Sequence, residues 1–259
     1  MKKTMNEIIL SKEELEQWLQ EQVEKREYIQ GHSLDREEIQ KEVYSILFEE
    51  QQLQVDDMER MYLPFGQSGY WSARDKFELM VYVMEREFYN GALCFFESIG
   101  QEVDMSEEEV EELYYQWSME GYLILSEDEK KDFFVQKLTD DMLFGVVEVL
   151  KRVSPEGFLL GEFCPPLYEE EPLSRRVAIY SRTGVIRLPF LETEEEELIR
   201  IIKGVVAKEN KGELTMYDSL WECVREDGTC ITAVRPPAGK NWGLRVLYAA
   251  AGRNRRWQS

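Results

Sequence analysis

Among the side chains able to bind a metal, attack an electrophile or move a proton, this chain carries four cysteines, one histidine and 52 carboxylates. Cys94, Cys164, Cys223 and Cys230 form no CxxC pair, and His32 is distant from all of them in sequence. A closed zinc site needs four Cys or His ligands, usually in close pairs, so this spacing speaks against zinc. A Ser/His or Cys/His nucleophile would have to use His32, which lies in a surface-like Gly-His-Ser stretch and reads as a solvated residue. Carboxylates are so abundant that no pair of them is informative. General acid–base work needs one in an apolar pocket that shifts its pKa. Glu148 and Glu162 are candidates in mostly apolar surroundings, and both read as solvated.

Phosphate chemistry finds no better support. A P-loop needs GxxxxGK[ST], because several backbone N–H groups and one lysine must converge on the phosphates. The one Gly-Lys in a candidate context, Gly239-Lys240, is followed by Asn241 and has no glycine at the required earlier position. It reads as a turn. The dinucleotide fingerprint and the GxSxG nucleophile elbow are absent too. The expectation is a non-enzyme with no catalytic residues, no cofactor and no metal.

The elements that would position any site come next. At 259 residues, 43% hydrophobic and 12% aromatic, the chain can bury a core in one large or two small domains. Its 52 acids against 31 bases give a formal charge of −21, which repels nucleic-acid phosphate. From Arg235 onward every charged side chain is basic: Arg235, Lys240, Arg245, Arg253, Arg255 and Arg256. The N-terminal apolar run, Ile8 to Leu10, is too short for a secretory h-region. No apolar stretch approaches the length of a membrane span. The expected setting is therefore cytoplasmic, with reduced, buried cysteines.

The first half reads as helical. Ser11 with Glu14 is a capping box ahead of Leu15, Trp18, Leu19 and Val23, and Gly31 closes that run. Ile39, Val43, Ile46 and Leu47 share a second helical face. Leu63 to Gly69 is a loop by composition, and Phe77, Met80, Val81 and Met84 mark a third helix from Ser72. Leu93 to Ile99 is a further apolar turn closed by Gly100. Ser106 and Glu109 form a second capping box, leading to a helix stopped by Gly121 and a short strand over Tyr122–Leu125. Three helices and a strand have a winged-helix-like order. The would-be recognition helix, Ser106 to Met119, carries glutamates and no base, so protein interaction is the preferred role over DNA binding. One helix is then expected over Asp128–Arg152.

After this the pattern turns to strands: Phe158–Gly161, Val177–Tyr180, Val185–Leu188, Ser219–Arg225, Cys230–Val234 and Gly243–Tyr248, with a helix from Thr193. Asp227-Gly228 is a hairpin turn. The expected fold is α+β: an acidic helical domain over residues 1–135, then a small α+β sheet domain over 136–259 with a basic C-terminal tail.

One segment is more specific than composition. Leu198–Ile202, then Asp218-Ser-Leu-Trp-Glu-Cys-Val-Arg-Glu-Asp227-Gly228-Thr-Cys-Ile-Thr-Ala-Val-Arg-Pro236-Pro237, resembles the N-terminal module of Tad/CpaF-type ATPases of type II/IV secretion and pilus assembly. In that family a helix precedes a hairpin with an Asp-Gly turn, and the second strand ends in Pro-Pro. The spacing from Asp227 to Pro236-Pro237 matches without a gap, and the resemblance covers about residues 138–248. It implies candidate motif positions Asp227, Gly228, Cys230, Pro236, Pro237 and Arg245. Two departures stand out. The turn of the family reads Asp-Gly-Ser-Arg, but Cys230 occupies the arginine position. A later family arginine falls near Leu247, with Arg245 two residues earlier as a substitute. The RecA-like motor with its P-loop, which the family carries next, does not follow before Ser259. The resemblance therefore implies an accessory module, a truncated or degenerate relative of the ATPase. Its expected partners are proteins, namely motor subunits, oligomer neighbours or a secretion platform, with no nucleic acid and no membrane span. The alternative is an unrelated cytosolic adaptor with a winged-helix-like interaction domain.

Overall fold

The structure, a computed structural model, describes residues 11–30, 35–87, 103–161, 177–181, 184–209, 211–239 and 241–249. The expected turn at Leu93–Ile99, the stop at Gly31, and His32, Cys94, Cys164, Glu162, Lys240, Arg253, Arg255 and Arg256 lie outside them. The protein is α+β, and its chain forms two compact units, each from two stretches: Met1–Val83 with Glu111–Val146, and Met84–Val110 with Val147–Ser259.

The first unit is helical. Helix α1 (Lys12–Gln30) starts from the expected capping box: the Ser11 N–H donates to Glu14 Oε2 at 2.8 Å, and the Glu14 N–H to Ser11 Oγ at 3.3 Å. It buries Leu15, Leu19 and Val23 at four-residue spacing. Helix α2 (Arg36–Tyr44) is capped by Asp35, whose side chain accepts from the Glu37 and Glu38 amides. It runs on as a π-turn, Ser45–Glu50, which buries Ile46 and Leu47. Helix α3 (Val55–Met61) buries Val55, Met58 and Met61. Sequence periodicity does not reveal it, because its three apolar positions cover under two turns. Most of the loop expected at Leu63–Gly69 is a 3₁₀ turn, Phe65–Tyr70.

Helix α4 (Ala73–Glu87) follows a Ser72–Asp75 cap, and helix α5 (Glu107–Met119) the Ser106–Glu109 box. Tyr122–Leu125, expected as a strand, is a turn. The helix–strand order of a winged helix is therefore not completed there. Gly121 leaves α5 at φ 81°, the Tyr122 and Ile124 N–H groups donate back to Trp117 O and Gly121 O, and Ser126 already caps the next helix with Glu129, so the run between them is taken up by the connection. The single helix expected over Asp128–Arg152 is three pieces: α6 (Glu127–Thr139), a π-turn (Asp140–Phe144) and α7 (Val146–Val153). Gly145, at φ 62°, makes the break. The boundary expected near residue 135 falls inside α6, which belongs to the first unit.

The second unit is built on a seven-stranded sheet in the order β1-β4-β3-β2-β7-β6-β5. Its strands are β1 (Val103–Asp104), β2 (Gly157–Gly161), β3 (Val177–Ser181), β4 (Gly184–Arg187), β5 (Leu220–Val224), β6 (Cys230–Val234) and β7 (Gly243–Leu247). Six strands pair antiparallel. The two-residue β1, from the first half of the chain, lies parallel to β4 at one edge. Side chains alternate between faces along each strand, and register puts Trp221, Cys223, Ile231, Ala233, Leu244, Val246, Leu160, Phe158, Ile179 and Ile186 on one face. All are buried. Helix α8 (Glu195–Glu209) packs on β7 and buries Leu198, Ile201, Ile202 and Val206. Its three leading glutamates suit the positive end of the helix dipole.

Candidate functional site

The residues singled out by motif all lie on or beside the β5–β6 hairpin. The Gly228 N–H donates to Arg225 O at 3.0 Å, and the Arg225 N–H to Thr229 O at 2.9 Å. This is a type I turn followed by a glycine in the left-handed region, at φ 83°, the three-residue hairpin connection. Asp227 accepts from the Thr229 N–H at 2.8 Å, and hydrogen bonding from Thr229 holds its carboxyl below the usual range. A Cβ on Gly228 would lie 2.9 Å from Ala249 Cβ, so packing as well as φ selects glycine.

The other end of the hairpin is closed by the Arg235 N–H donating to Ser219 O at 3.0 Å, immediately before Pro236 and Pro237. The peptide bond between those prolines is cis. The Ala238 N–H donates to Ser219 Oγ at 3.2 Å, and the Arg235 guanidinium lies over the Trp242 ring at 4.8 Å. The Asp-Gly turn and the Pro-Pro pair are thus at opposite ends of five-residue strands, on the order of 16 Å apart. They do not converge.

Cys230 and Arg245 do share a sheet face. Cys230 is opposite Leu247, and Arg245 is opposite Thr232 and Leu159. The same face carries Leu220, Glu222 and Val224 on the edge strand, and Tyr180 on β3. Burial raises the Tyr180 hydroxyl pKa, and the Arg245 charge opposes that rise. Cys230 is exposed, contrary to the buried thiol expected; Cys223 on the opposite face is buried, with its Sγ 3.8 Å from Glu209 Oε2. Glu209, the last residue of α8, is gripped by Arg225, whose Nε donates to Oε1 at 2.9 Å. That bond lowers the Glu209 pKa and raises that of Arg225. Lys211 Nζ donates to Val224 O at 2.8 Å along the outer side of β5. Glu148, weighed as an acid–base candidate, is ion-paired with Lys151.

The first unit holds a feature the sequence reading passed over. Lys137, on α6, is 3% exposed. Its Nζ lies 2.5 Å from Glu78 Oε2, 2.8 Å from Asp75 Oδ1 and 3.3 Å from Asp141 Oδ2. Arg74 bridges Glu78 and Asp141, Lys12 reaches Asp141 at 3.5 Å, and the Tyr62 hydroxyl donates to Asp141 at 2.6 Å. Next to it, Arg36 makes a two-pronged bond to buried Asp140, at 2.7 and 2.8 Å. Burial disfavours the Lys137 and Asp141 charges, but the pairing outweighs it. Lys137 is held above the usual lysine range by Asp141, Glu78 and Asp75, and Asp141 well below the carboxylate range by Lys137, Arg74 and Lys12.

Three cations, Lys12, Arg74 and Lys137, thereby meet three carboxylates, Asp75, Glu78 and Asp141. Glu16 is a fourth acid beside a balanced set. Burial and then the Asp141 charge raise its pKa to about 7, and its Oε1 is buried without a hydrogen bond. It is the group of this network that changes charge near neutral pH. The signal in the sequence was Lys137 itself, set between Phe133-Phe134 and Leu138, with Asp141 one turn on. Among the described residues no group of three His, Cys, Asp or Glu side chains is arranged to hold a metal ion. The Asp75, Glu78 and Asp141 carboxylates are centred on the Lys137 ammonium group.

No protein-family model matches the chain, and no curated protein matches it. No helix among the described residues is long and apolar enough to cross a membrane.

Proposed function

We propose that this chain is a non-catalytic, cytoplasmic relative of the N-terminal module of type II/IV secretion and pilus-assembly ATPases, acting through protein–protein contacts. The observation that carries the reading is the run from α8 through the β5–β6 hairpin to β7. Helix, Asp-Gly turn, Pro-Pro end and next strand occur in the family's order, with β5, β6 and β7 paired antiparallel. Cys230 stands where the family carries an arginine that faces nucleotide, which fits a module that acts by binding rather than by turning over nucleotide. The exposed side chains on the β5 face, Leu220 and Val224, and the half-buried Arg245 on the same face across β6 offer a contact surface for a motor subunit.

The purified chain should release no phosphate from ATP above background. Light scattering after gel filtration should show a complex with the isolated RecA-like motor domain of a pilus-assembly ATPase from the same genome, and Leu220→Asp should weaken it. Folded protein that turns over ATP, or that ignores every such motor domain, overturns the reading in favour of an adaptor unrelated to secretion motors.

A further inference from the structure

Four of the large hydrophobic side chains most exposed in the described residues fall within ten positions of the first unit: Tyr115 at 67%, Met119 at 71%, Tyr122 at 54% and Ile124 at 80%. The cause is local. Helix α5 turns Val110 and Tyr114, four residues apart, into the core. Tyr115 and Met119 carry the same spacing one position round the helix, so they stand together on an outer face. Gly121 then ends the helix. In the turn that follows only Leu123 is buried, leaving Tyr122 and Ile124 outside. Tyr122 packs edge-on to Trp117 at 6.1 Å, and Ile124 Cδ1 comes within 3.7 Å of a Cβ built on Gly121. The four side chains therefore gather round the C-terminal end of α5. Scattered exposed hydrophobics need no explanation, whereas a cluster marks a binding surface.

The rim identifies the occupant. Exposed Glu112 on α5, Glu120 just past its end, and Glu127 and Asp128 at the start of α6 flank the cluster along the chain. From Glu87 to Glu129 the sequence contains no Lys, Arg or His. A second copy of this chain is a poor fit, because a two-fold contact through the patch would set these acids against themselves. Lipid headgroup phosphate and nucleic acid are repelled by the same charge. What complements apolar side chains at helical spacing inside an acidic rim is an amphipathic helix whose flanks are lysine and arginine. Its basic side chains lay their alkyl stems along the patch and reach the carboxylates with their heads. Met119 supplies an adaptable, polarizable contact.

We propose that the C-terminal end of α5 and the turn behind it form a docking surface for a basic amphipathic helix of a partner protein. This surface is on the helical unit and is independent of the hairpin on which the secretion-module reading rests.

The test is fluorescence anisotropy with the full chain and a labelled Leu/Lys peptide whose leucines follow helical i, i+3, i+4, i+7 spacing. A scrambled peptide of the same composition and a Leu/Glu version serve as probes of mere charge. The helical basic peptide should bind, and the scrambled and acidic ones should bind far more weakly. Met119→Lys should weaken binding about tenfold, in the range of an interface hot spot. Ile124→Ser, which changes no charge, should weaken it too. Tyr217→Lys makes the same charge change at an exposed residue of the other unit and should leave affinity unaltered. Equal binding of the scrambled peptide, equal loss in Met119→Lys and Tyr217→Lys, or no binding at low salt overturns the proposal. So does sedimentation with anionic vesicles that Ile124→Ser abolishes, which would replace a protein partner with a lipid surface.

Discussion

The helical unit closes its helix packing around three cations and three carboxylates, whereas the sheet unit keeps its covered face apolar and places its Arg225–Glu209 pair at the hairpin rim. Strand geometry accounts for half of the contrast. With a side-chain period of two, β5, β6 and β7 sort polar and apolar residues onto opposite faces without further constraint. Helix α6 has no such outlet. Its last two turns are buried at Phe133, Phe134, Val135, Lys137, Leu138 and Thr139, so nearly every direction around the axis there is interior. A lysine in that position must find its counter-charges inside the fold. Stability should therefore answer to charge and pH in one unit and to apolar volume in the other.

The largest effect that sharpens this contrast is expected from Lys137→Met. The substitution keeps most of the volume and leaves Asp75, Glu78 and Asp141 without their common cation. Removing one partner of a buried ion cluster costs about 3–5 kcal/mol, which urea unfolding of the variant should reveal. A loss under about 1 kcal/mol would mean that the network is solvated and that the two units do not differ in kind.

Glu16→Gln should have a smaller effect with a distinctive pH dependence. The folded protein keeps the Glu16 proton up to about pH 7, while the unfolded chain releases it near 4.5. Between those values the native state binds more protons, so stability falls as pH rises through the window. A neutral amide at this position would remove that slope. Thermal unfolding should show the variant gaining on the parent at about pH 8 and matching it at about pH 4.5. Equal curves at both pH values would remove Glu16 from the network.

The smallest change is expected at the hairpin. Glu209→Gln breaks a pair at the rim, and such pairs contribute about 0.2–1 kcal/mol. A drop of several kcal/mol in urea unfolding would show that the sheet unit, too, depends on an ion pair.

Much of this fold was readable from spacing. The boxes at Ser11/Glu14 and Ser106/Glu109 close as the residue pattern predicts, and the six longer strands stand where alternation and turns placed them. The misses share a cause: neighbours decided against local preference. Tyr122–Leu125 has the side chains of a strand, but the Tyr122 and Ile124 N–H groups donate back to Trp117 and Gly121 in the connection that runs to the Ser126 cap. An unbroken helix was expected across Gly145, since the stripe from Leu138 to Leu150 keeps its period while the backbone does not. Lys137 was hidden for a different reason. A lysine next to an apolar stripe usually lies along the surface, and its three partners come from α4 and from the turn after α6, whose meeting no local pattern encodes. At the hairpin, spacing located Asp227, Gly228, Pro236 and Pro237. Only pairing register shows that Cys230 and Arg245 share a face while the two ends of the motif stay apart.

Lys211, seen above as a donor to the Val224 carbonyl, bears on how this protein behaves in a crowded solution. A sheet that ends in a strand with exposed Leu220 and Val224 presents the template on which fibrils grow, since unpaired backbone groups recruit the same strand from another molecule. An ammonium group seated on that margin occupies an acceptor the incoming strand would need, and it sets a charge in the strand's path. The apolar side chains remain available to a partner that docks on the face, while lateral polymerisation of the sheet is opposed.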